Sequence, residues 1–473
     1  MKLSILLTLI YLLLKTVNSQ LINNQNVPSM VYIINRHGVI QPRDSSTHEG
    51  GALLLNTSYD RLYQKGKIIR QLYPNLLSQK YLTNDIHINS SAWERTLTTS
   101  NGILAGLYSN QNNFTANIPV YSSPWDADYT LYNYDKCPKY NTDLANFYLT
   151  PEFNQQVLYY TNLTNYINDL LKPSTPITLQ NIYSTWNNFW LSLNRPESGV
   201  VMPYLHPDVY ATLTEATNYV ESIKMSSRIA GTYFGSTLLN AIKYRMDMFI
   251  KQNKIFGHKV IMSTAHYPTM FGLMASMGYT GPISKIIPDY NAMIVFELYN
   301  NTYGQTNTTD GTNWSFQIKF YDGDWYNMGI MNSINLGTCM GSTSDCTYDY
   351  NTFWNTYKVK NLTQFCVDCE SKLPMCIGTI ITSSSTLLNN VINTIYNVNQ
   401  TIINNNSTQL QQNNQNSDIY NDTQKIKSII YILIGIISII LCIVFLSFLI
   451  IIILFIKMNK YKFNYTPYLS DSL

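Results

Sequence analysis

From Ile429 to Ile456 the chain is apolar apart from isolated residues such as Ser438, Cys442 and Ser447. Coiled as a helix, such a stretch is long enough to cross a hydrocarbon core of roughly 30 Å, with some tilt. Lipid offers the backbone no hydrogen-bond partners, and a helix satisfies them within the segment. The segment therefore reads as a single membrane-spanning helix. Lys457, Lys460 and Lys462 follow at once, which places residues 457–473 in the cytoplasm. At the other end Lys2, the apolar run Leu3 to Leu14, and the small residues Val17 and Ser19 form the pattern of a signal peptide over residues 1–19, with Gln20 first after cleavage. The expected topology is a type I single-pass protein with a lumenal or extracellular ectodomain.

Within the ectodomain the composition shifts at about Ser383 to Asn, Gln, Thr and Ser with scattered Ile and Leu. Residues 383–424 read as a stalk without a core-forming face. About 350 residues remain, more than one core of about 250 to 300 residues accommodates, so two packed subdomains are expected. A dozen Asn-x-Ser/Thr sequons, Asn56, Asn89, Asn113 and Asn162 among them, fit a glycosylated surface. The net charge of +3 is small and dispersed, which argues against nucleic acid as a partner. Cys137, Cys339, Cys346, Cys366, Cys369 and Cys376 precede the membrane segment, and an even number in an oxidising compartment implies three disulfides. Cys366 and Cys369 form a CxxC without the second pair or spaced histidines of a zinc site, so it is read as structural and no metal is assigned.

Val31 to Asn35 is apolar, β-branched and aromatic, the pattern of a buried strand, with Arg36, His37 and Gly38 directly after it. Helical spacing follows from Tyr59 to Leu77, then a short strand at Ile86 and Ile88 and a helix from about Arg95 to Leu107. Residues 118–225 are rich in Tyr, Asn and Trp with amphipathic helical stretches, Asp208 to Ile223 included, and read as an inserted helical cap. A helix from about Arg228 to Gln252, a strand at Lys259 to Met262, and strands at Ala292 to Leu298 and Trp314 to Phe320 return to the core. Strands alternating with helices predict an α/β core over residues 20–117 and 226–382.

A strand ending in Arg36-His37-Gly38 is chemically suggestive, because open α/β sheets bind ligands beyond the carboxyl ends of their strands. A guanidinium holds phosphate oxygens in a planar fork, a neutral imidazole nitrogen can attack phosphorus, and glycine lets the backbone approach a bulky anion. The chain here resembles the histidine acid phosphatases, whose signature RHGxRxP appears as RHGVIQP at Arg36 to Pro42. Glu94-Arg95-Thr96 with Leu104-Ala105-Gly106-Leu107, Ser263-Thr264-Ala265-His266, YDKCPKY around Cys137, and VFELY ending at Tyr299 are similar to further landmarks, in family order.

The resemblance implies a mixed central sheet flanked by helices, with the smaller helical cap. It also implies cofactor-free hydrolysis of a small phosphate monoester, or binding of another anionic ligand, at the cell surface or in a lysosome-like compartment. His37 would accept the phosphoryl group, with Arg36, Arg95 and His266 around it. Two positions depart from the pattern: Ile40 stands where the family has its second arginine, and Tyr267 where it has the proton-donating aspartic acid. Arg43 is a candidate replacement phosphate ligand, and Asp44 and Glu49 are candidate replacement acids. The expected activity is therefore an impaired acid phosphatase; the alternative is an inactive phosphatase-fold surface glycoprotein or receptor. His48, His87, His206 and His258 lack ligand spacing and are read as structural or exposed, and Glu297 as a structural carboxylate or a functional one. The resemblance further supports a long-range bridge from Cys137 to the cluster of Cys366, Cys369 and Cys376, its partner open; the other two of the cluster are expected to join, and Cys339 to pair locally with Cys346.

Overall fold

The computed structural model describes residues 27–41, 53–109, 118–134, 136–226, 233–252, 255–301, 309–323, 332–340, 346–357 and 359–377. The signal segment, the stalk, the apolar segment 429–456, Arg43, Asp44, His48 and Glu49 lie outside these residues. Among the described residues no helix is long and apolar enough to cross a membrane.

In chain order the strands are β1 (Met30–Arg36), β2 (Ile86–Ser90), β3 (Tyr121–Ser122), β4 (Val260–Ala265), β5 (Met293–Asn300), β6 (Trp314–Tyr321), β7 (Asn332–Ser333) and β8 (Thr347–Asp349). The helices are α1 (Asn56–Leu72), α2 (Glu94–Leu107), α3 (Pro138–Tyr148), α4 (Pro151–Tyr159), α5 (Thr161–Leu171), α6 (Tyr183–Asn194), α7 (Pro207–Lys224), α8 (Gly235–Ile250), α9 (Tyr267–Ser276), α10 (Tyr350–Thr356) and α11 (Leu362–Asp368).

Every residue of β1 is buried, and its side chains divide by parity: Met30, Tyr32 and Ile34 join one apolar cluster, Val31 and Ile33 another. That is the period of two of a strand covered on both faces. The sheet runs β3-β2-β4-β1-β5-β6-β7, with β8 also on β6. β1, β2, β3 and β4 are mutually parallel, whereas β5 and β6 run antiparallel, so the sheet is mixed. Leu62 and Ile69 of α1 and Ile103, Leu104 and Leu107 of α2 cover the Val31 face. The two helices touch through glycine: a Cβ on Gly66 would lie 2.0 Å from the Ile103 carbonyl oxygen, and one on Gly106 would lie 1.9 Å from that of Tyr63. α8, α9 and residues of the largely helical stretch 138–224 cover the other face.

Several boundaries differ from the sequence expectation. α1 stops at Leu72, because Pro74 cannot continue it, while Leu76 and Leu77 remain buried beyond its end. β4 takes in Ser263, Thr264 and Ala265, the residues on which the sequence has the strand end, so His266 follows it directly. α8 begins at Gly235, and part of the expected 228–252 helix lies outside the described residues. β3 extends the sheet into the stretch expected to be a mostly helical cap. Glu297 accepts hydrogen bonds from Tyr73 and Tyr299 at 2.6 and 2.5 Å and pairs with Lys319 at 2.6 Å. It stands opposite Val31, far along β1 from Arg36, as a structural carboxylate.

Three disulfides join Cys137 to Cys369, Cys339 to Cys346 and Cys366 to Cys376. The first ties the start of α3 to the end of α11.

Candidate active site

Parallel register brings the carboxyl ends of β1, β4 and β2 to one edge, with Arg36 opposite Ala265 and Ser90 opposite Thr264. The ends are stitched past the strands: the His37 amide donates to the Ala265 carbonyl at 3.1 Å and the Ser91 amide to that of Thr264 at 3.0 Å. His37, His266 and Ser91 therefore stand side by side.

His37 is buried, and its Nδ1 lies 2.9 Å from the Gly38 carbonyl oxygen. A carbonyl only accepts, so Nδ1 carries the proton and Nε2 keeps its lone pair. The His37 ring centroid is 5.3 Å from that of His266 and 5.6 Å from that of Tyr290. At His266, Nε2 is 3.0 Å from the Ser91 hydroxyl oxygen, whose own proton goes to Thr96 Oγ1. Nε2 is therefore the donor, and Nδ1 faces Arg95 Nη2 at 3.5 Å. Arg95 enters on the first turn of α2 with its guanidinium 4.7 Å from the Trp93 ring.

Arg36 donates from Nη1 to the Pro288 carbonyl at 2.5 Å and from Nη2 to the Tyr183 hydroxyl at 3.3 Å. Its guanidinium stacks 3.9 Å from the Tyr290 ring. Beneath this corner the buried Lys65 donates to the Asn291 carbonyl at 2.5 Å, and the Asn291 amide donates to the His37 carbonyl at 3.2 Å. Burial holds the Lys65 ammonium well below the usual lysine range.

Arg36, His37, Arg95 and His266 share the wall of a cavity of about 540 Å³. Five phenols complete it, those of Tyr132, Tyr134, Tyr183, Tyr267 and Tyr290, along with the amides of Gln41, Asn187 and Asn188. No carboxylate is among its described lining residues. Four positive or imidazole groups without a facing acid suit an anion with several oxygens.

Ile40 is on the same wall, yet it is only 8 % exposed and packs with Val39, Leu54, Leu55 and Leu62 in the apolar cluster under α1. It forms an isolated bridge with Leu54. Tyr267, the first residue of α9, donates its hydroxyl to Glu221 Oε2 at 2.7 Å. Burial first, then the Glu221 charge and Tyr183, push its phenol well above the usual tyrosine range.

A family model described as histidine phosphatase superfamily (branch 2) matches residues 19–320. The chain belongs to this superfamily. Prostatic acid phosphatase of Bos taurus is 24% identical over 296 residues, which cover 57% of this chain and 73% of that one. Lysosomal acid phosphatase of Homo sapiens is 22% identical over 256 residues, covering 51% and 58%. Among solved structures, the phytase from Citrobacter braakii matches with a TM-score of 0.51 at 13% identity, covering 72% of this chain and 99% of that one. The apo form of Hafnia alvei phytase gives 0.51 at 12% identity, covering 71% and 97%. At these identities the structural likeness establishes the histidine phosphatase fold: a mixed sheet flanked by helices.

The sequence singled out four residues that the fold brings to one cavity, together with both departures. Sequence reasoning missed the phenol wall, Ser91, Glu221 and Lys65. Tyr134 opens the YDKCPKY landmark, a usable signal. Tyr183, Tyr290 and Glu221 carry no local motif, and only the fold gathers them.

Proposed function

We propose that this chain hydrolyses phosphate monoesters through a phosphohistidine formed on His37, as an acid phosphatase weakened at two positions. The observation that carries the reading is the fixed tautomer of His37. With Nδ1–H held by Gly38, Nε2 is the ring nitrogen that carries the lone pair, in one cavity with Arg95, His266 and Arg36. In the first step Nε2 attacks phosphorus and the bond to the ester oxygen breaks. The Gly38 carbonyl steadies the imidazolium that results. Water then attacks the phosphohistidine, releasing phosphate and restoring His37. Such chemistry asks the protein chiefly to orient the reactants and to stabilise charge spread over the phosphoryl oxygens. Arg36 and Arg95 are assigned that role, with Arg43 a further candidate. His266, its Nε2–H given to Ser91, faces the Arg95 guanidinium through Nδ1 and so helps to orient it. Asp44 and Glu49 are the candidate acids for the leaving oxygen.

The ectodomain, residues 20–382 with its cap at 118–225, is proposed to be glycosylated and carried on a type I membrane helix at 429–456. The prostatic and lysosomal acid phosphatases among its relatives support a secreted or lysosome-like setting. A non-catalytic surface glycoprotein is the second reading, favoured by Ile40 in place of a charged ligand and by the cavity's lack of a described carboxylate.

The test is turnover of p-nitrophenyl phosphate by the full chain in detergent, beside His37→Ala, with a rapid acid-free quench of labelled substrate to trap an acid-labile, alkali-stable phosphoenzyme. We expect His37-dependent turnover and label on His37. Activity surviving His37→Ala rejects the nucleophile, and phosphate binding without turnover selects the second reading.

A further inference from the structure

Glu221 lies on α7, 46 residues before Tyr267 in the chain, and the fold brings the two together behind the cavity wall. The Glu221 side chain is buried. Its Oε2 receives the Tyr267 hydroxyl at 2.7 Å, and its Oε1 receives Lys224 Nζ at 2.6 Å. Glu221 is not itself among the cavity-lining residues, whereas Tyr267 is. We propose that Glu221 is a positioning residue that withholds the Tyr267 proton from the leaving oxygen, so that residue 221 sets which esters this site turns over. The inference rests on the phosphomonoesterase reading given above.

A Tyr267 that gave up its proton would become a phenolate 2.7 Å from a carboxylate. Lys224 pairs with the other carboxylate oxygen of Glu221, and the Arg36 guanidinium, 5.1 Å from the Tyr267 ring, offsets the repulsion only in part. The high proton affinity of this phenol agrees with that geometry. An aryl ester leaves as a stabilised phenolate and needs no proton, whereas an alkyl ester leaves as an alkoxide and does. Tyr267 of the parent therefore supplies an alkyl ester with no proton. In Glu221→Gln the amide N–H donates to the Tyr267 oxygen, and the hydroxyl proton turns to the cavity. As the P–O bond breaks, its electron pair on the ester oxygen takes that proton and an alcohol leaves. The phenolate, now beside Arg36 without a neighbouring anion, regains a proton from water.

The experiment measures kcat and KM of the full chain for glycerol phosphate and p-nitrophenyl phosphate in the parent, Glu221→Gln, Glu221→Asp, Tyr267→Phe and the double variant Glu221→Gln, Tyr267→Phe. General acid catalysis commonly contributes about 10² to 10⁴ in rate, so a phenol not evolved for the task should recover about tenfold or more. We expect Glu221→Gln to raise the alkyl-to-aryl ratio of kcat by that amount with little change in KM. Glu221→Asp should keep the parent's ratio, and the double variant should return to it. An unchanged ratio in folded Glu221→Gln, a gain that persists without the Tyr267 hydroxyl, or a fall in the ratio on Tyr267→Phe alone each overturns the proposal. A measurement independent of that variant's folding is ¹³Cζ-tyrosine NMR of the parent, with the Tyr267 signal assigned by its loss in Tyr267→Phe. It should titrate above the exposed tyrosines, and titration alongside them removes the basis of the inference. Absence of aryl-ester turnover in the parent overturns the enzyme reading and this proposal with it. Failure of the proposal alone is recognised by parent aryl turnover that stays intact.

Discussion

Restoring the missing arginine, Ile40→Arg, sets phosphate affinity against core packing at a single position. Ile40 is 8 % exposed, borders the cavity holding His37, Arg95 and His266, bridges to Leu54 and shares an apolar cluster with Leu62. A fully buried isoleucine contributes about 1.5 to 3 kcal/mol through its apolar surface. The methylene stem of arginine keeps part of that contact while its head reaches outward, so the net loss of stability should be about 1 to 2 kcal/mol. Toward the cavity the guanidinium gains a charge-assisted bond to phosphate worth about 1.5 to 3 kcal/mol. At about 1.4 kcal/mol per factor of ten, phosphate should bind roughly ten- to a hundredfold tighter. Both arms are measurable on one preparation: thermal unfolding for the first, and competitive inhibition by inorganic phosphate with titration calorimetry for the second. A protein that unfolds a few degrees lower and binds phosphate more tightly supports the assignment of position 40 to the phosphate site. Unchanged phosphate affinity in the folded variant refutes it, because the side chain would then not address the anion.

Two further predictions concern stability. The Cys137–Cys369 bridge spans 232 residues of chain, which in the chain-entropy model contributes about 5 kcal/mol, so Cys137→Ser, Cys369→Ser should lower the denaturation midpoint sharply, and a loss below about 1 kcal/mol would contradict the model. His87 is held down to about 4 by burial, by Arg245 with its Nη2 at 3.0 Å, and by His258, against an ordinary value of 6.5. Between those values the unfolded chain binds more protons than the folded one, so stability should fall as the pH drops from about 6.5 towards 4. Urea midpoints at pH 7 and pH 5 should converge in His87→Gln relative to the parent, and an unaltered pH dependence would show that His87 does not carry it.

What the sequence determined by itself is local. The parity of apolar residues in Met30–Arg36 specifies a strand buried on both faces, because side chains alternate at every residue whatever surrounds them. The RHG tripeptide after that strand, Arg95 at the head of a helix, and His266 after a second strand were legible for the same reason: each sits at the end of a regular element. The two departures, Ile40 and Tyr267, could be read by position against the family pattern. What surrounds them in the fold could not be read there. Whether Ile40 joins an apolar cluster depends on Leu54 and Leu62, and the behaviour of Tyr267 depends on a carboxylate 46 residues earlier that only the packing of α7 brings to it. The phenol wall likewise draws on residues 132, 134, 183, 267 and 290, from segments that become neighbours only through the folded chain. Periodicity records which face of an element is apolar. The partner that a polar side chain meets, and the direction in which its proton points, are fixed by contacts between distant segments, and those belong to the tertiary structure.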